Sequence, residues 1–382
     1  MQTKIQQVFS FGWDPFCQSL KPSDIQVKAA RSIMRCKSPS LGCNISVCTE
    51  CGHQEIHYNS CRNRNCPNCQ AILKELWIDK RKSEVIDAPY FHVVFTVPAQ
   101  LNPIIYANQK LLYSLLHRCS SETLLELAAD KKYLGAVPGI IQVLHTWGQE
   151  LNFHPHIHCI VTGGGLTSDR KLKISGSGFF IPAKVLGAKF RGKFLASLQK
   201  LFSNNCLVFS HSCEKLRNSY EWAEFRNSLY NIDWCPYIKE TFNGFGNAIE
   251  YLGRYTHRIA ITNARILSVS KTHVAFSAWD YKNSRKKTVT LKNEEFIRRL
   301  MMHVLPPGFQ KIRYYGFLNN RKKEENLRLI FRLQGHRKFV SRLKGRSMAE
   351  VLKLAWGYDV SLCPCCGKHA MRRSGRTFAL LD

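Results

Sequence analysis

Apolar residues recur at helical spacing around Ile25, Val27, Ala30 and Ile33, which predicts helix within the first 40 residues. Residues 41–70 hold few large apolar side chains and many Cys, Asn and Arg. Such a stretch cannot bury a core and needs a metal to hold it. Helical periodicity returns over 71–87, with Ile72, Leu73, Leu76, Trp77 and Val85 among charges. At Tyr90 the pattern becomes aromatic and β-branched through Val97, and it stops at Pro98, as a strand does. Leucines over 101–130 predict helices. Ile140–Trp147 and His156–Thr162 predict two strands, the second ended by Gly163-Gly164-Gly165. Residues 175–230 read as a helical, basic insertion, 248–258 as a short helix, and 265–292 as a β-hairpin turning at Asn283-Ser284-Arg285. A strand, then helices, then two adjacent strands predict an α+β domain with a largely antiparallel sheet. The expected domains are 1–88, 89–310 and 311–382.

Charge changes this picture from a generic globular chain to a polyanion binder. The 382 residues include 56 Lys and Arg against 27 Asp and Glu, for a net +29. Nucleic acid is the usual counterpart, because neutralised phosphates release condensed counterions. The run from Lys311 to Arg346 alone carries twelve Lys or Arg against two Glu. No stretch approaches the roughly 18 apolar residues that a membrane helix needs. No lipidation motif or secretory leader is visible, so a cytoplasmic protein with no membrane partner is expected.

Sixteen cysteines are unevenly spread, six of them between Cys43 and Cys69. Cys48/Cys51 and Cys66/Cys69 are two C-x-x-C turns, each able to point both thiolates at one ion. Together they predict a tetrahedral Zn site. Gly52 and Pro67 suit such knuckles. Cys61 and then Cys43 are further candidates, because six thiols exceed one site. Arg62 and Arg64 suit phosphate and base contacts on this module. The tail Cys363-Pro364-Cys365-Cys366 is half a knuckle, with His369 as a candidate third ligand and no fourth in view.

His154-Pro155-His156-Ile157-His158 supplies the chemistry. Residues two apart share a strand face, so His156 and His158 project together and form half of a divalent-metal site. His154 joins them if the strand runs through Pro155. In a phosphate-processing site, Mg or Mn would polarise a phosphoryl oxygen. Downstream, Tyr251 and Tyr255 stand four apart and share a helix face, as do Arg254 and Arg258. A phenol has a pKa of about 10 and needs cations to act as a nucleophile. Taken alone, a tyrosine pair of this kind also reads as packing on an amphipathic helix.

The order of Cys knuckles, His156-Ile157-His158 and a tyrosine helix resembles the HUH transposases of bacterial insertion sequences of the IS91-like type. Ser60-Cys61-Arg62-Asn63-Arg64, His145-Thr146-Trp147-Gly148-Gln149, Tyr251-Leu252-Gly253-Arg254-Tyr255 and His303-Val304-Leu305-Pro306 carry the same resemblance. It implies a Rep-like antiparallel palm with flanking helices beside a small zinc-knuckle domain. It also implies rolling-circle transposition: nicking of single-stranded DNA at element ends, a 5′-phosphotyrosine, and strand transfer to target DNA. Tyr251 and Tyr255 would be the nucleophiles, and His156 and His158 the ligands of the catalytic metal. His154 is the first choice as third ligand and His257 the second. Arg254 and Arg258 would contact DNA, and the protein would work at the bacterial nucleoid. A plasmid replication initiator or relaxase shares this chemistry, although no G-x-x-x-x-G-K loop is present. A zinc-knuckle nucleic-acid binder without catalysis is the other reading.

Overall fold

The structure is a computed structural model, and it describes residues 2–176, 181–241, 253, 260–281, 283–336 and 339–377. Its centre is an antiparallel sheet in the order β11-β4-β5-β3-β7, with β6 paired to β5. The strands are β3 (Tyr90–Thr96), β4 (Val137–Trp147), β5 (Phe153–Leu166), β6 (Leu172–Ile174), β7 (Tyr237–Thr241) and β11 (Ile312–Gly316). The α+β, antiparallel expectation is met. β5 does not stop at its glycines; it runs through them. Gly165 is needed there, because a Cβ would lie 2.5 Å from the Val137 carbonyl oxygen of β4.

Alternation along β3, β4 and β5 divides the sheet into two faces. Phe91, Val93, Phe95, Ile140, Leu144, Ile157, Cys159 and Val161 form the back. They are covered by α4 (Asn102–Ala107), α5 (Gln109–Ala129), α6 (Ala183–Ser203) and α7 (Ser219–Tyr230). Phe190 of α6 meets Phe95 at 4.8 Å between ring centroids, and Trp222 of α7 stacks on Phe202 at 4.2 Å. The helices of the expected insertion therefore close the back core. The front face carries Tyr90, Ile141, Val143 and Ile160, which pack with Ile78 of α3 (Ala71–Lys82) and with Leu327, Ile330 and Phe331 of α9 (Lys323–Gln334).

A second core joins α1 (Lys4–Ser19), α2 (Asp24–Arg35) and α8 (Asn293–Met301) to a three-stranded meander. The meander consists of β8 (Ile266–Val269), β9 (His273–Asp280) and β10 (Arg285–Lys292). The expected hairpin is therefore present with one more strand. Its inner face holds Ile266, Val274 and Phe276. A third small sheet, β12-β1-β2, pairs β1 (Cys43–Cys48) with both β2 (Gln54–Tyr58) and β12 (Met371–Arg376). Residues beyond 311 are thus shared between the central sheet, through β11, and this small sheet, through β12. A short helix, α10 (Met348–Trp356), lies between them in sequence. Among the described residues, no helix is long and apolar enough to cross a membrane.

Two imidazoles away from the front-face histidines are buried in this fold. Burial pushes His117 down to about 3 and His303 to about 4. An unfolded chain returns both to about 6.5. It therefore binds more protons than the folded chain between those values. The stability they contribute is complete above pH 6.5 and is lost as pH falls toward 4, by up to about 1.4 kcal/mol per pH unit for each imidazole. The urea midpoint is expected to be lower at pH 5.5 than at pH 7.5; an unchanged midpoint would contradict the neutral, buried state of these rings.

Candidate metal centres and their surroundings

On the front face, antiparallel register sets His145 of β4 opposite His156 of β5, and Val143 opposite His158. His145, His156 and His158 bring their donor nitrogens within 4.8 Å of one another. Each ring is oriented by a neighbour. His156 Nδ1 donates to the carbonyl of His154 at 2.7 Å, leaving Nε2 with its lone pair. His158 Nδ1 lies 2.8 Å from Nε2 of His92 on β3. Burial lowers His92 to about 4 and His156 to about 3. Both are therefore neutral near pH 7, the form that accepts a hydrogen bond or binds a metal.

The Nε2 atoms of His156 and His158 face each other at 3.1 Å, and both present lone pairs when His158 carries its proton on Nδ1 and gives it to His92. Two lone pairs at that distance repel unless a cation lies between them. Ligands about 2.1 Å from one ion and at right angles are about 3 Å apart, so the spacing fits a six-coordinate divalent ion such as Mg or Mn.

His154 is not in the group of three. β5 bulges between its pairs Phe153 with Trp147 and His156 with His145, so His154 and Pro155 together oppose Thr146. His154 stays on the less buried side of β5 with His156, but its nitrogens are not among the three grouped donors. Its ring stands 5.0 Å from that of His156, and its carbonyl orients His156 instead. Pro155 is tolerated because β3 has ended at the Thr96–His156 pair. His92 and His145 were missed as site residues, although His145 lies in one of the motifs quoted above. Only the strand register brings them to the centre.

Tyr251, Tyr255, Arg254, Arg258 and His257 lie outside the described residues. Gly253, between the tyrosines, is described and buried. A Cβ on it would meet Ile78 Cδ1 of α3 at 2.3 Å, so any larger residue would have to displace the Ile78 side chain. Since Ile78 packs on the front face, Gly253 lies on the side of the sheet that carries the imidazoles.

The cysteines form two tetrads rather than one. Cys36, Cys61, Cys66 and Cys69 are one group; Cys48, Cys51, Cys363 and Cys366 are the other. The expected quartet of Cys48, Cys51, Cys66 and Cys69 is thereby split, because β1 and β2 carry the first knuckle away from the second. In the first tetrad Cys61 and Cys69 Sγ are 3.7 Å apart. Backbone N–H groups of Asn63 and Asn68 point at Cys61 and Cys66 Sγ at 3.5 and 3.4 Å, as in metal knuckles. Cys36, at the end of α2, was missed: a lone Cys 25 positions before Cys61 carries no local signal. Among the described residues Cys43 is in neither tetrad, and its Sγ lies 3.1 Å from Thr377 Oγ1.

Arg62 is exposed, with φ +55°. Arg64 donates to the carbonyls of Phe309 at 2.6 Å and Pro306 at 3.2 Å, which ties the cysteine loop to the central domain. At that junction a cavity of about 50 Å³ is lined by Arg64, Trp147, His303 and Lys311 among others. Trp147 stacks on His145 at 4.5 Å, and Lys311 Nζ lies 5.2 Å from the indole centre. His303 Nε2 donates to the Leu151 carbonyl at 3.1 Å, and its Nδ1 lies 3.2 Å from Thr146 Oγ1. Three of the stretches singled out in the sequence thus meet behind the candidate metal centre.

A family model described as "Putative transposase" matches residues 139–326, and one described as "Transposase zinc-binding domain" matches residues 8–97. A protein named "Putative transposase y4qJ" from Sinorhizobium fredii (strain NBRC 101917 / NGR234) is 42% identical over 307 residues, 80% of this chain and 77% of its own. The "Transposase for insertion sequence element IS801" from Pseudomonas savastanoi pv. phaseolicola is 28% identical over 306 residues, 78% of this chain and 71% of its own. No solved structure matches.

Proposed function

Because the chain belongs to the IS91 family of transposases, we propose that it nicks one DNA strand at an element end and rejoins it elsewhere through a 5′-phosphotyrosine. The observation that carries this reading is the trio of imidazoles on the front face, two of them with Nε2 atoms 3.1 Å apart. His145, His156 and His158 would hold a divalent cation, Mg or Mn. When bound, that ion would polarise the scissile phosphate and stabilise its developing charge.

Tyr251 and Tyr255 are the nucleophiles in this proposal. A phenolic oxygen attacks phosphorus, the 3′-oxygen leaves and takes up a proton, and the 5′-phosphate remains on tyrosine. One phosphodiester is exchanged for another, so rejoining by a 3′-hydroxyl needs no nucleotide hydrolysis. The packing of Gly253 on Ile78, over the imidazole face, supports a tyrosine segment at this site. His92 and the His154 carbonyl would serve as positioning groups, holding His158 and His156 with Nε2 forward.

Single-stranded DNA at element ends and target DNA are the proposed partners. Arg62, Arg254 and Arg258 would contact phosphates, whereas Arg64 spends two N–H groups on carbonyls of the central domain. In the zinc-binding part, Cys36, Cys61, Cys66 and Cys69 would hold one Zn. Cys43 is not proposed as a ligand. The 3.7 Å between Cys61 and Cys69 Sγ fits thiolates about 2.3 Å from one tetrahedral ion, which lie about 3.8 Å apart.

A labelled single-stranded element end, incubated with the protein and Mg or Mn, is expected to become covalently attached. The adduct should vanish with EDTA and in the Tyr251→Phe/Tyr255→Phe protein. Salt-sensitive binding with no adduct under any metal would leave a DNA binder and defeat the nicking assignment.

A further inference from the structure

We infer a second structural zinc centre, built from both ends of the chain by Cys48 and Cys51 with Cys363 and Cys366. The half-knuckle at the tail finds its other half 312 positions upstream, between β1 and β2. All four Sγ atoms lie within 4.8 Å of one another. Cys48 is 3.7 Å from Cys366, and Cys51 is 3.7 Å from Cys363. A disulfide needs about 2.05 Å. Tetrahedral thiolates on one Zn sit about 3.8 Å apart.

The two turns have matching backbone hydrogen bonds. In the first, Gly52 N–H donates to the Cys48 carbonyl at 3.0 Å, and Cys48 N–H to the His53 carbonyl at 2.8 Å. In the second, Gly367 N–H donates to the Cys363 carbonyl at 2.9 Å, and Cys363 N–H to the Lys368 carbonyl at 2.8 Å. Gly52 and Gly367 both take left-handed backbone, with φ of 70° and 72°. Two equivalent knuckles, one following β1 and one preceding β12 of one small sheet, make a zinc ribbon from segments that are remote in sequence. Cys365 points elsewhere and is exposed; His369 Nδ1 is 3.0 Å from Ser361 Oγ, outside the tetrad.

The supporting contacts are few. Among the described residues, Cys48, Cys363, Ala370 and Met371 form the buried cluster. Lys368 adds an exposed ion pair to Glu50 at 2.8 Å, and Thr49 N–H donates to the Ala370 carbonyl at 3.0 Å. Beyond the backbone ladder of β12 on β1, this small cluster and a surface ion pair contribute little against the entropy of holding the chain ends together. The metal would therefore reinforce the β1–β12 ladder as a clamp on β12. That strand lies on β1 and exposes Arg372, Arg373 and Arg376, so the ion also fixes a basic edge on the zinc-binding part.

Metal content of the full chain tests this without reference to nicking. Mass spectrometry of the parent protein is expected to show about two Zn per chain. Cys363→Ser/Cys366→Ser should show about one, and Cys365→Ser about two. Cys366→His keeps a ligand and should retain both ions, which separates metal loss from misfolding. After a single proteolytic cut placed in the 339–346 segment, the C-terminal piece should co-elute with the rest, and phenanthroline should release it. One Zn in the parent, or two in the Cys363→Ser/Cys366→Ser protein, overturns the inference.

Discussion

A His158→Ala protein is expected to bind a single-stranded element end within about threefold of the parent affinity and to nick it at least about 10³-fold more slowly. That factor corresponds to about 4 kcal/mol of transition-state stabilisation, an ordinary loss when a metal centre is dismantled. Binding should survive because phosphate contacts are spread over a chain of net charge +29. The same asymmetry is expected for His156→Ala. The decisive comparison is His145→Ala with His154→Ala. His145 offers a ring nitrogen to the centre, whereas His154 offers His156 a backbone carbonyl that alanine retains. His145→Ala should fall near His158→Ala in nicking rate, and His154→Ala should stay within about tenfold of the parent. The reverse ranking, measured with the same oligonucleotide, would sink the choice of His145 as third ligand. Normal nicking by His158→Ala would sink the centre altogether.

Removing the first tetrad should have the largest effect on stability. Cys66 is buried in the core with Ile5, Phe9, Ile33 and Phe276, so the tetrad sits inside the packing rather than beside it. A structural Zn in such a site contributes about 10–16 kcal/mol to folding. Domain stabilities are about 5–15 kcal/mol. Cys61→Ser/Cys69→Ser is therefore expected to unfold residues 1–70 and to expose them to protease, with nicking lost as the Arg64 tie to residues 306 and 309 breaks. A variant that retains the parent melting temperature and protease pattern would show that packing, not metal, holds this core. The tail variants should differ in kind, because among the described residues their buried cluster is Cys48, Cys363, Ala370 and Met371.

The sequence by itself determined the local elements and the chemistry of adjacent residues. β3 and β4, the leucine-rich helices, and the shared face of His156 and His158 follow from periods of 2.0 and 3.6, which are properties of neighbouring positions. The C-x-x-C turns were legible for the same reason. Partners set by register or by long-range return of the chain were not. His145 joins His156 only because β4 pairs with β5 in one register. Cys36 and Cys363 are ligand candidates only once α2 and β12 are folded onto the cysteine loop. No local pattern encodes which remote segment arrives at a half-built centre. That is decided by burial and strand pairing across the whole chain, and here those tertiary choices complete all three candidate metal centres.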